Sequence, residues 1–115
     1  MTIRPTDHPI TKGMPSEFRH NNDELYQNSV MFPQSVVLAT AFSDKKKDAK
    51  NSDKHEPVVW VATYGKGRVC ENVLGHDVAA MKGSLGFQTL LIRGVEWAAT
   101  GEARHPAPKD LEKKP

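Results

Sequence analysis

The chain has 115 residues, a formal charge of +2, 37% hydrophobic and 26% charged residues, and a single cysteine. That is enough for one domain with a modest core. It excludes a disulfide framework and a cysteine-built metal cage. The small net charge, with its lysines in two local runs, argues against a nucleic-acid surface, and the longest apolar runs fall far short of a membrane span. No basic-then-apolar leader opens the chain. A single cysteine fits a reduced, cytoplasmic compartment, with an export signal lost from a truncated chain as the alternative.

In chain order, residues 1–15 carry three prolines and the Thr-Asp-His-Pro sequence, which predicts irregular structure with turns at Asp7 and at Thr11-Lys12-Gly13. Ser16 to Tyr26 is expected as a short helix with Phe18, Leu25 and Tyr26 turned inward. Ser35 to Phe42 is an almost continuous apolar run and predicts a strand covered on both faces. Residues 43–55 are lysine-rich and lack large apolar side chains, as in a solvated, mobile loop.

Pro57-Val-Val-Trp-Val-Ala-Thr-Tyr64 is rich in β-branched and aromatic residues and predicts a second strand. Gly65-Lys66-Gly67 suits a tight turn, and Arg68 to Leu74 returns as the partner strand. Gly75 then breaks the strand and leaves His76 and Asp77 at its end. Ser84 is a fitting N-cap for a helix from Leu85 to Ala99, which Gly101 terminates. Phe87, Leu90, Leu91, Val95 and Ala98 are expected on its apolar stripe. Gly94 lies on the same stripe and predicts close approach to the sheet. Residues 102–115, with three prolines and no core face, read as a disordered tail.

Strand, loop, hairpin, corner and helix describe part of an α/β layered domain. Three strands and one helix make a thin core, so self-association or a missing part of the fold is expected.

Five blocks carry a family resemblance: His8-Pro9-Ile10-Thr11-Lys12-Gly13, Asp23-Glu24-Leu25-Tyr26, Tyr64-Gly65-Lys66-Gly67-Arg68-Val69, Leu74-Gly75-His76-Asp77 and Arg93-Gly94-Val95-Glu96-Trp97-Ala98-Ala99. In this order and spacing they resemble the ThuA-like family, named for trehalose utilisation and related to class I glutamine amidotransferases. The resemblance runs from about Ile3 to Gly101. It implies the C-terminal half of a flavodoxin-like, amidotransferase-like sheet over residues 1–101, with the N-terminal half of the family domain not in this sequence. It also implies a small-molecule carbohydrate as ligand.

The related amidotransferases use a cysteine on a strand-to-helix elbow. Cys70 lies mid-strand without the flanking glycines of an elbow, so a small buried hydrophobe is the expected role and glutaminase chemistry is not.

His76, at a strand end, is the candidate acid/base, with Asp77 to orient it or to cap the next turn. His8, Glu24 and Tyr26, with Asp23 as the second carboxylate of the cluster, are candidates for binding sugar hydroxyls or, with His76, a divalent metal such as zinc. The competing structural readings are that His8 shapes a turn and that a carboxylate pairs with Arg19 or caps a helix. His20, His55 and His105 are expected at the surface, and Trp60 and Trp97 in the core.

Three functions stay open: a sugar-acting enzyme, a hydrolase or isomerase in its complete form; a non-catalytic carbohydrate-binding or accessory module; and an inactive self-associating fragment. A convergent pocket of His8, Glu24 and His76 distinguishes the first.

Overall fold

The computed structural model describes residues 1–20 and 22–111. Four strands, β1 (Thr2–Ile3), β2 (Val36–Phe42), β3 (His55–Tyr64) and β4 (Gly67–Asn72), form one sheet in sequence order. Each neighbouring pair is antiparallel. Two helices follow, α1 (Val78–Lys82) and α2 (Leu85–Thr100). The mixed α/β architecture, with its hairpin and a terminal helix on the sheet, is the one expected.

The central strands form because their side chains are wanted on both faces. Leu38, Ala39 and Thr40 are buried consecutively in β2, and Val58, Val59 and Val61 in β3. A strand buried on both faces reads as a continuous apolar run rather than an alternation. Shifts of register between Val37 and Thr40 bend β2 against β3. Tyr64 pairs with Gly67, so the hairpin closes through the two residues Gly65-Lys66.

α2 begins where Ser84 accepts the amide of Phe87 and ends at Gly101, which adopts the left-handed conformation. The caps satisfy helix-end groups that lack an intrahelical partner. Arg68 of β4 reaches the other end, where its Nε and Nη2 donate to the carbonyls of Trp97 and Ala99. A cation there also complements the helix dipole.

The buried face of α2 comprises Gly86, Phe87, Thr89, Leu90, Arg93 and Gly94. This face is rotated from the expected stripe: Val95 is exposed, and Trp97 rather than Val95 continues the packing. The expected close approach at Gly94 is present, since a Cβ there would lie 2.8 Å from Cys70 Sγ. The main core gathers Ile10, Phe18, Leu38, Ala39, Val58, Val59, Val61 and Leu90.

The expected helix over Ser16–Tyr26 does not form among the described residues of that span. Its first turn pairs with the sheet instead. Ile3 N–H donates to the Ser16 carbonyl, Phe18 N–H donates to the Met1 carbonyl, and Thr2 bridges Glu17. Once those backbone groups serve the sheet edge they cannot close helical bonds. Phe18 is still buried as expected, whereas Tyr26 is exposed. Asn21 of the expected helix lies outside the described residues.

The 43–55 connection turns at Asp44 and Asp48, whose carboxylates accept amides two residues on. Its base is tied to Gln27, which accepts from Ser43 Oγ at 2.7 Å and from the Ser52 amide.

The structure corrects the reading of residues 102–111 as a disordered tail. The amides of Arg104 and His105 donate to the Glu96 carboxylate, and Leu111 packs against the core. Proline-rich composition gave no sign of a segment held by its amides to a helix side chain. Residues 112–115 of that expected tail lie outside the described residues. Among the described residues, no helix is long and apolar enough to cross a membrane.

Candidate functional site

The corner after β4 is built by Gly75. Its φ of +92 is strained for any residue with a Cβ, and that atom would also lie 2.9 Å from the Phe87 ring. Glycine at this position lets the chain leave the sheet over Phe87 and present His76 outward.

A second segment, residues 22–26, meets this corner from 50 positions earlier in the chain. Asp23 is the fastener. Its carboxylate accepts the amides of Gly75 at 2.6 Å and His76 at 3.0 Å, the amide of Glu24 at 2.8 Å, and His20 Nε2 at 2.6 Å. The Asp23 side chain is 3% exposed and that of His20 7%. Burial alone would push the Asp23 carboxyl up. The hydrogen bonds from His20 and the three amides outweigh it and hold the group down at about 2.

With the two segments clasped, Glu24 Oε2 lies 2.8 Å from His76 Nδ1. These side chains are 50% and 59% exposed. They share an open cleft of about 320 Å³ with Tyr26, Asn72, Val73, Leu74 and Gly75. This size lies at the lower end of the range for small-molecule sites. A carboxylate on Nδ1 favours the proton there and leaves Nε2 as the nitrogen free to act on a ligand.

His76, Glu24 and Tyr26 therefore converge, and the other two candidates do not. Asp77 turns away to cap α1, accepting the Ala80 amide at 2.8 Å. His8 packs edge-on against Trp97 with ring centres 5.0 Å apart, and its Nδ1 accepts the Ile10 amide. Burial lowers its pKa. The turn-shaping reading of His8 and the capping reading of Asp77 match this geometry.

One residue of the clasp, His20, escaped the sequence reading. His20 was expected at the surface and is instead nearly covered, paired with Asp23 rather than leaving a carboxylate to Arg19. The three-residue spacing of His20 and Asp23 was the available signal, but nothing local marked the pair as buried. Among the described residues, no three His, Cys, Asp or Glu side chains gather into a metal site. The trio of His8, Glu24 and His76 is broken by the position of His8. Cys70 lies in β4, and burial, then the neighbouring Glu71, push its thiol up to about 11. That is the opposite of an activated nucleophile.

The family model for ThuA, trehalose utilisation, matches residues 1–98. The chain belongs to the ThuA family. A crystal structure of a ThuA-like protein from Parabacteroides merdae ATCC 43184 is similar to it, with 38% sequence identity and a TM-score of 0.83. The match covers 96% of this chain and 41% of that one, so the chain spans about two fifths of that ThuA-like protein's length. No curated protein matches. Within this ThuA chain, the clasped corner is a place where ionisable side chains from separate segments meet at a cleft.

Proposed function

We propose that this ThuA domain serves carbohydrate metabolism by binding a sugar at the His76–Glu24 cleft, with His76 as the acid/base of a hydrolase or isomerase in the complete form. The observation that carries the reading is the 2.8 Å contact between Glu24 and His76 Nδ1, made across segments joined by Asp23. A histidine whose Nδ1 is held by a carboxylate can exchange a proton through Nε2 with a sugar hydroxyl. Tyr26 adds a hydroxyl that both donates and accepts, as sugar hydroxyls require.

A second reading keeps the ligand and drops the chemistry. Asp77 is occupied as a helix cap, so the cleft holds one carboxylate–histidine pair and no second acid from that corner. In that case the module binds carbohydrate without turnover.

Titration of the protein with glucose and with trehalose, followed by amide NMR, tests both. Saturable shifts are expected at Glu24, Tyr26, Gly75 and His76. His76→Ala is expected to weaken binding about tenfold, as loss of one hydrogen bond with a charged partner does. In a complete homologous domain the same change should lower turnover about 10²- to 10⁴-fold. Unchanged binding and turnover in that variant rule the site out. Binding lost with no turnover in either protein selects the non-catalytic module.

A further inference from the structure

A larger cleft, of about 540 Å³, lies where the His8–Gly13 turn and the segment after α2 meet, and it shares no lining residue with the His76 cleft. Its inner wall includes Arg93, which is 5% exposed. Nε of Arg93 donates to the His105 carbonyl at 2.7 Å, and Nη1 donates to the carbonyls of Ile10 and Lys12 at 3.1 and 2.7 Å. These three acceptors are neutral, and among the described residues Nη2 has no hydrogen-bond partner. Arg93 lines the cleft, and with Nε and Nη1 engaged, Nη2 is the arm of its guanidinium left to face it.

An arginine buried to this degree ordinarily spends all its donors, because each unmet one costs desolvation energy. Two of the acids nearby are already engaged. Burial lowers the Arg93 pKa and Glu96 opposes this through space, but the Glu96 oxygens accept the amides of Arg104 and His105. Glu102 is held by Nε and Nη2 of Arg104. Asp7 and Lys12 stand exposed at the rim with opposite charge.

We infer that this cleft binds a small organic oxyanion, a carboxylate or a phosphate monoester, on Nη2 of Arg93 with Lys12 at the mouth. A fixed guanidinium with two N–H donors facing a cavity suits such a group, since charge-assisted bonds to oxyanions are short and strong. The three carbonyls keep the fork from rotating away. The segment after α2 supplies one of them, so it forms part of the site.

The test is NMR titration at constant ionic strength with glucuronate, glucose 6-phosphate and, as the neutral control, glucose, observing the Arg93 Nε–Hε signal and the amides of Lys12, Arg104 and His105. Saturable shifts with one or both anions and none with glucose are expected; which anion acts identifies the carboxylate or phosphate source. Lys12→Ala, an exposed change, should weaken binding about two- to fivefold, the effect of one rim charge. Arg93→Lys keeps the charge but lacks the second donor arm, and should abolish the shifts. If this variant unfolds, the wild-type titration and Lys12→Ala still decide. No saturable shift with either anion, equal shifts with glucose, or anion binding indifferent to Lys12→Ala overturns the inference. Failure at the His76 cleft leaves these signals unaffected, so the two readings fail separately.

Discussion

Asp23→Ala is expected to lower stability by about 3–5 kcal/mol, the cost of removing one partner from a buried polar pair. Four groups lose their acceptor at once: His20 Nε2 and the amides of Glu24, Gly75 and His76. The change should also release residues 22–26 from the Gly75 corner, so that sugar-induced shifts vanish although Glu24 and His76 are intact. A purely local cap would not move those signals. Asp23→Asn separates the two effects, since it keeps an oxygen for the amides but loses the charge. The carboxyl is depressed from 3.8 to about 2 in the fold. A depressed acid stabilises the folded state above its unfolded value and loses that contribution as pH falls through the folded one. A shift of this size corresponds to about 2 kcal/mol. The gap between wild type and Asp23→Asn should therefore be constant above about pH 4 and close as pH falls toward 2, read by urea unfolding at each pH. A gap independent of pH across that window would refute the role assigned to the charge.

Gly86→Ala is the second large effect. A Cβ at Gly86 would lie 2.2, 2.5 and 2.9 Å from three ring carbons of Phe18. Phe18 is fully buried between sheet and helix, so its ring cannot swing into solvent to make room. Overpacking usually costs about 1–3 kcal/mol, and with three ring atoms inside contact distance the expected loss is about 3 kcal/mol or more. It should appear as a lower urea midpoint at unchanged slope. Phe18→Leu alone destabilises by leaving space. Combined with Gly86→Ala it should recover part of the loss, a non-additivity that appears only between touching residues. Additive costs would show that the ring does not rest on Gly86.

The parts of this fold legible in the sequence are those written in local pattern. The apolar runs of β2 and β3, the Gly65-Lys66 turn, the Ser84 cap and Gly101 all report on neighbours within a few residues. Gly94 was readable because a glycine amid helix formers must answer a close contact, here Cys70. What was not legible depends on distant partners. Residues 16–18 carry no signal that β1 will take their hydrogen bonds, and a turn-prone stretch was read as a helix. The rotation of α2 away from Val95 comes from Arg93, a charged residue that the apolar pattern counts as outward but whose carbonyl partners bury it. At the site, His76, Glu24 and Tyr26 were each suspected from residue type and do meet. Their joining through Asp23 spans 52 residues and leaves no periodicity to read. His8 and Asp77 fell out because each found a nearer structural use: an edge contact with Trp97 and a helix cap.

The contact of Cys70 with Gly94 gives this protein an internal clock. The chain has one thiol, half-buried against Gly94 of α2 and held at about 11, so near pH 8 only about one in a thousand is ionised in the fold. In an opened chain about a quarter would be, on the ordinary thiol value. Alkylation should then be slow in the native protein, and its rate should report how often helix and hairpin part. Gly86→Ala, which loosens the same helix, should quicken labelling, whereas Lys12→Ala should not. A native labelling rate equal to that in urea would mean that the helix does not guard the strand.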